Sequence, residues 1–386
     1  MVFIATNNWI NNFGAFKMRN KVIEDAKILK LIDFNKSKIF KNAGIYTMIM
    51  ILQKNKNNEG YKFEYIRFLS ENTNLNNIHK DVENEKNIEI FYPEIIKHKH
   101  INKILTFNKY EDLLEKIQDQ ANFNLNKNEV TIGIIIPQDF VKKKHIPFLD
   151  ENINVGDGIF VLNEKELVSL NLSKDEMSLI KPFYTPKEIE KYYTINKNKY
   201  WIIFTQSKFK NTKLMENYPN IKKHLDKFSS IITSDFKPYG LHRAGNIKSY
   251  TNEKILSLRR CTEPIFTYID FECFVSNVYI IIQTDRVSLK YLVGILNSNL
   301  IKFWLKNKGK MKGNIFQIDK EPLLNLPLKI GETDTIGKIE KLVNEVILIK
   351  SKNGCNIDII EKQINEIVYQ MYNLKDDEVK ILESGD

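Results

Sequence analysis

Between residues 289 and 305 the apolar positions Tyr291, Leu292, Ile295, Leu296, Leu300, Phe303 and Trp304 recur at helical spacing. That pattern predicts one amphipathic helix with a buried stripe. A basic, glycine-punctuated turn follows at Lys306, Lys308, Gly309, Lys310, Lys312 and Gly313, then a short polar strand and an exit at Leu326-Pro327. A helix anchored by its stripe would hold the turn rigidly. Cations on a rigid loop, beside the amides of Asn297, Asn299, Asn314 and Gln317, suit a surface that positions phosphates and reads base edges.

The same reading upstream predicts a buried strand at residues 2–5 and a helix over 14–30, with Ala15, Met18, Val22, Ala26 and Leu29 on one stripe. Further strands fall at 30–34 and 46–54, the latter almost continuously apolar. A β-turn-α-β-loop-β order with buried strands belongs to an α/β sheet covered by helices. It occupies too few residues for a complete doubly wound domain, so the chain reads as joining such a sheet partway. A strand at YKFEYIRFL, a helix at KYEDLLEKIQDQAN and a strand at 129–137 complete a first domain, residues 1–150, with the charged, turn-rich stretch 140–157 as the link.

A second domain spans 158–330, with Ser173 as an N-cap and Glu176 three residues on. Its strands fall at 199–205 and at KILSLRRC, IFTYID and VYIIIQT. Two apolar stripes over 335–383, separated by a turn at Asn353-Gly354, predict a helical hairpin. The expected fold class is therefore α/β: a truncated sheet, an α+β domain, and a C-terminal helical hairpin.

Charge narrows the partners. The 386 residues carry a net charge of +10 and a pI near 9.1, mostly through lysine, which favours an anionic partner, nucleic acid before membrane. Cys261, Cys273 and Cys355 form neither a metal spacing nor an even-numbered framework, which points to a reduced, cytoplasmic setting. No apolar run approaches the roughly 20 residues needed to cross a bilayer, and the N-terminus lacks the marks of a signal peptide. There is no G-x-S-x-G elbow for a serine hydrolase, and Glu164-Lys165-Glu166 and Asp319-Lys320-Glu321, which contain the letters of an Asp…Glu-x-Lys nuclease centre, arise freely in so charged a chain.

Basic and aromatic residues interleave in the second domain. Lys181, Lys187 and Lys191 surround prolines beside Tyr184, Tyr192 and Tyr193. The loop SDFKPYGLHRAGN offers Lys237, Tyr239, His242, Arg243 and Asn246. Arg259 and Arg260 occupy adjacent strand positions and are expected on opposite faces, one meeting DNA and the other an acid such as Glu263. Arg243 and one of this pair are the candidates for guanine, because the guanidinium fork matches O6 and N7. Lys306, Lys308, Lys310 and Lys312 read as phosphate contacts; singly each is equally a solvated surface charge, and the cluster carries the inference.

Several stretches resemble known enzymes. TNNWI with GAFKMR, and IDFNKSKIFKNAGIYTMIMILQK, resemble the sheet region after the catalytic motif of N6-adenine DNA methyltransferases. The resemblance implies that Phe40 stacks an extruded base. It also implies S-adenosyl-L-methionine as cofactor of the complete enzyme. Neither an F-x-G-x-G loop nor an N/D-P-P-Y/F/W tetrapeptide occurs here, and all ten prolines are isolated. Residues 1–150 are thus expected to be the C-terminal part of a catalytic domain whose cofactor half lies on an upstream methyltransferase chain. DGIFVLNEKEL, LIKPFYTPKEIEKYY, YWIIFT, ENYPNIKKHLDKF and the stretch from Leu292 to Leu328 resemble the TaqI-like C-terminal specificity domain. That domain reads double-stranded DNA in restriction-modification systems. The resemblance implies the C-terminal portion of a site-specific adenine-N6 DNA methyltransferase, inactive alone. The alternatives are a non-catalytic specificity subunit serving a separate catalytic chain and a generic basic nucleic-acid binder.

Overall fold

Antiparallel pairing of strand Val2–Thr6 with strand Thr47–Lys54 begins the first of two compact units, residues Met1–Asp119. The computed structural model describes all residues except 36, 38, 41, 56–59, 70–77, 104, 106, 353, 355, 385 and 386. Strand Ala26–Asp33 pairs antiparallel with Thr47–Lys54 and parallel with Glu64–Phe68, and Ile88–Phe91 closes the five-stranded sheet. Strand alternation sends Met48, Met50 and Leu52 to one face, where Trp9 and Ile23 are buried, and Ile49 to the other, against Phe34 and Phe68.

The helix expected over 14–30 is shorter, Phe16–Asp25, and Ala26 and Leu29 belong to the strand that follows. The predicted stripe was read through a helix-to-strand junction. Val22 and Ile23 are buried, whereas Met18 and Leu29 are exposed. Beside them lies Arg19, 1 % exposed, whose guanidinium donates to the carbonyls of Trp9, Asn12 and Lys103 and so ties the start of the helix to a distant loop. Asp33, at the end of its strand, accepts from Tyr65 Oη at 2.8 Å, Asn7 Nδ2 at 3.0 Å and the amide of Asn35 at 2.8 Å. This buried carboxylate fixes the root of the loop that carries Phe40.

The second unit, Gln120–Asp386, contains two mixed sheets. In one, Ile180–Tyr184 lies between Phe274–Val275 and Tyr200–Ile203, with Val161–Asn163 at the edge. The other has the order Tyr192–Tyr193, Phe266–Ile269, Lys254–Leu258, Tyr279–Ile282, Val130–Ile132. Val130–Ile132 was expected in the first domain; it pairs instead with Tyr279–Ile282, so the chain changes unit at Asp119/Gln120 and not within 140–157. An isolated apolar strand has no local signal for the sheet it will join.

Ser173 caps helix Lys174–Met177 as expected, and Glu176 does more than complete the capping box. Fully buried, it also accepts from the amides of Asn220 and Ile221, capping helix Pro219–Asp226 across the fold. The long helix expected after residue 289 is two helices, Leu289–Leu296 and Asn299–Asn307. Ser298 caps the second through a bond from the amide of Ile301. Asn297, 7 % exposed, exchanges hydrogen bonds with both the N–H and the C=O of Phe266. Both polar side chains are consumed in the break. The tail forms helices Thr333–Ser351, Asp358–Met371 and Asp376–Ser384. The first two pack on each other as expected, while the third was not expected as a separate element; residue 353 of the expected turn lies outside the described residues. A Cβ on Gly294 would come within 2.6 Å of Ile339, so glycine permits the close approach of Leu289–Leu296 to the tail. No helix among the described residues is long and apolar enough to cross a membrane.

Candidate nucleic-acid interface

The basic turn is a β-hairpin. Met311–Lys312 pairs with Ile315–Gln317, Gly313 takes a φ of 58° at the turn, and Arg260–Cys261 adds a third strand. Lys306, Lys310 and Lys312 are exposed and Lys308 is half-buried. Lys306 lies in the last turn of helix Asn299–Asn307 and Lys308 caps it, positions where cations also offset the carbonyl end of the helix.

Arg259 and Arg260 do not part to opposite faces. Arg259 donates to Asp319 Oδ1 through Nε at 3.0 Å and Nη2 at 2.8 Å, and Arg260 reaches Oδ2 at 3.0 Å. Glu263, the acid expected for one of them, pairs with Lys302 at 2.8 Å. Burial works against ionisation of Asp319, but hydrogen bonds from Arg260 and Arg259 outweigh it and hold the carboxyl below its ordinary range. The pair moors the hairpin: Ile318, just beyond it, donates its amide to the carbonyl of Arg259. A strand's two faces are separated by one residue, yet long guanidinium stems can bend to one acid.

Arg243 stands apart. Of the six arginines in the sequence, Arg19, Arg67, Arg259, Arg260 and Arg286 are each held by carbonyls or carboxylates, whereas Arg243 is exposed and its guanidinium takes no hydrogen bond or ion pair among the described residues. Its backbone is fixed: N–H donates to Ile135 O at 3.1 Å and C=O accepts from Ile135 N at 2.9 Å. Nearby, Leu241 N bonds Thr205 O, Tyr250 Oη donates to Ala244 O, and Gly245 turns at φ 74°. Arg243 lines a cavity of about 540 Å³ with Gln206, Ser207, Lys208, Asp235 and His242. Three separate segments build this cavity, so the sequence singled out Arg243 and His242 but gave no sign that Gln206, Lys208 and Asp235 join them.

Other expected contacts are in the core. Tyr239 is 5 % exposed and donates its hydroxyl to Asp226 at 2.7 Å, so it supports the loop from beneath and has no face for DNA. Tyr184 and Tyr192 are likewise buried. Lys181 pairs with Glu272 at 3.8 Å, and Lys191 with Glu361 at 2.6 Å; Lys187 is exposed. Among the four amides, Asn297 is buried in the helix break and Asn299 donates to Tyr369 of the tail, whereas Asn314 and Gln317 belong to the hairpin.

In the first unit, Phe40 is 45 % exposed, so it is not a core aromatic; Lys38 beside it lies outside the described residues. Residues 1–119 contain only Gly14, Gly44 and Gly60, each isolated. A glycine-rich turn of the kind that cradles a nucleoside-type cofactor cannot be built from these three. Among the described residues no group of three or more His, Cys, Asp or Glu could hold a metal ion.

The fold is similar to that of MmeI, a Type IIL restriction-modification enzyme solved in complex with DNA, with a TM-score of 0.57 and 11 % identity; the match covers 100 % of this chain and 49 % of MmeI. In sequence, the chain is 22 % identical over 380 residues to the Type II methyltransferase M.HincII of Haemophilus influenzae, and 20 % identical over 373 residues to M.HindII of Haemophilus influenzae strain Rd. Each alignment covers 90 % of this chain, and the chain spans only about two thirds of either relative, 66 % and 67 %. Residues 181–328 match the TaqI-like C-terminal specificity domain, and over most of its length the chain is similar to type II methyltransferases.

Proposed function

We propose that this protein selects a DNA sequence for a site-specific methyltransferase of a restriction-modification system, acting at adenine N6. Residues 158–330 would choose the site. Arg243 would read guanine, and Lys306, Lys308, Lys310 and Lys312, with Lys187, would hold phosphates. Lys181, Arg259 and Arg260 would contribute only field and scaffolding, because each already has an acid partner. Phe40 would stack the extruded adenine. Methyl transfer would require S-adenosyl-L-methionine and the amino-group acceptors from sequence outside this chain. The single observation that carries the reading is an exposed, unpaired Arg243 on a doubly bonded backbone in a basic specificity domain.

Selection from a random duplex library by the purified chain tests it. A consensus should emerge, and Arg243→Ala should cost about 1–3 kcal/mol on that consensus and little on scrambled DNA. Replacing Lys306, Lys308, Lys310 and Lys312 should weaken both alike and make the log-log salt slope shallower by about 0.9 for each phosphate no longer neutralised. Equal retention of cognate and scrambled duplexes by the wild-type chain would refute the proposal. A second reading, a specificity subunit without chemistry of its own, is favoured by the lack of any F-x-G-x-G or N/D-P-P-Y/F/W motif. Mixing with a chain that bears those motifs separates the two: methyl transfer that depends on Phe40 supports the enzyme reading.

A further inference from the structure

The cavity beside Arg243 holds opposite charges on different segments. Asp235 and His242 both line it, Oδ2 to Nδ1 at 3.6 Å, beyond hydrogen-bond length. The Asp235 side chain is 78 % exposed and accepts no hydrogen bond among the described residues. A carboxylate in that state is a bare acceptor, and Arg243 nearby is a bare two-pronged donor. Lys208, exposed on the same rim, adds a cation suited to a phosphate.

In the major groove a G·C pair presents two acceptors, guanine N7 and O6, followed by one donor, the cytosine 4-amino group. An A·T pair presents acceptor, donor, acceptor and methyl, which would set thymine O4 against a carboxylate. We propose that this cavity reads one G·C base pair, with Arg243 donating to guanine and Asp235 accepting from cytosine. His242, 3.6 Å from the carboxylate, makes no hydrogen bond to it and leaves its lone pairs open. This rests on the DNA-recognition reading above and adds to it the identity of one base pair and a second reading residue.

The test uses the full chain with duplexes carrying its selected consensus. Substituting 7-deazaguanine at the G·C position should weaken wild-type binding about tenfold and leave Arg243→Ala unaffected. Replacing the paired cytosine with 2-pyrimidinone, which lacks the 4-amino group, should weaken wild-type binding and leave Asp235→Ala unaffected. Library selection with Asp235→Ala or Arg243→Ala should relax preference at the same pair. Both side chains are exposed, so wild-type thermal unfolding is expected for each variant; Asp235→Leu, similar in shape but without an acceptor, repeats the test should Asp235→Ala unfold. Relaxation at two different pairs, or an unchanged consensus in both variants, would overturn the inference and leave the DNA-recognition reading standing. A wild-type chain that yields no consensus would refute both.

Discussion

Arg286 grips Glu129 with both prongs of its guanidinium, Nε to Oε1 at 2.8 Å and Nη2 to Oε2 at 2.5 Å, joining residues 157 positions apart. Thr284 and the amide of Asn126 supply further donors. The carboxylate, 8 % exposed, anchors strand Val130–Ile132 to the segment after Tyr279–Ile282. The Arg286 hydrogen bonds, opposed by burial, hold Glu129 down at about 2. An unfolded glutamate titrates near about 4.3, so the stabilisation is complete above that value and is lost as pH falls toward 2. Glu129→Gln should lower the urea midpoint at pH 6 and flatten its acid dependence below pH 4.3. Parallel acid profiles for the two proteins would count against this account.

His224 acts in a higher window. Its ring is buried, and Nε2 lies 2.9 Å from the carbonyl of Ile159, so that nitrogen donates. Burial pushes its pKa down to about 4, against roughly 6.5 in an unfolded chain. Between these values the unfolded state binds more protons, so stability should decline as pH drops from 6.5 to 4. His224→Gln, which keeps a donor, should remove that slope in denaturant titrations.

For Asp319 the expectation concerns coupling. A double-mutant cycle of Arg259→Ala and Asp319→Ala on unfolding free energy should give an interaction of about 0.5–3 kcal/mol. Asp319→Ala should also weaken DNA binding, although it adds net positive charge, because the lysine hairpin loses its mooring. Tighter binding instead would mean that the arginines are reading residues held in reserve by the acid.

Phe40→Ala should leave duplex affinity within about twofold of wild type, since one exposed ring adds little to an interface dominated by phosphates. In a reconstituted complex with a chain bearing the cofactor motifs, it should slow methylation of a paired adenine more than of a mismatched one, which costs less to extrude. Equal slowing on both substrates would remove Phe40 from base stacking.

Periodicity and punctuation were enough for most elements. The strand at Thr47–Lys54, the capping box at Ser173 and Glu176, the basic turn with the short strand after it and the two long tail helices all follow from residues within a turn or two of one another. Where the residue pattern misled, the deciding partner was remote. Leu29 reads as helical until strand Ala26–Asp33 finds Thr47–Lys54, and Tyr239 reads as a DNA contact until Asp226 takes its hydroxyl.

By itself, then, the order of residues determined a basic, mixed α/β protein with a lysine-rich turn and a short list of candidate arginines, because spacing, capping and charge are local properties. Tertiary structure alone decided which cations are spent on acids and which remain open, that Val130–Ile132 belongs to the second unit, and that Asp235 meets Arg243 in one cavity. Those outcomes depend on where separate stretches of chain come to rest against one another, and hydrogen-bonding capacity counted along a chain does not say which donor will reach which acceptor.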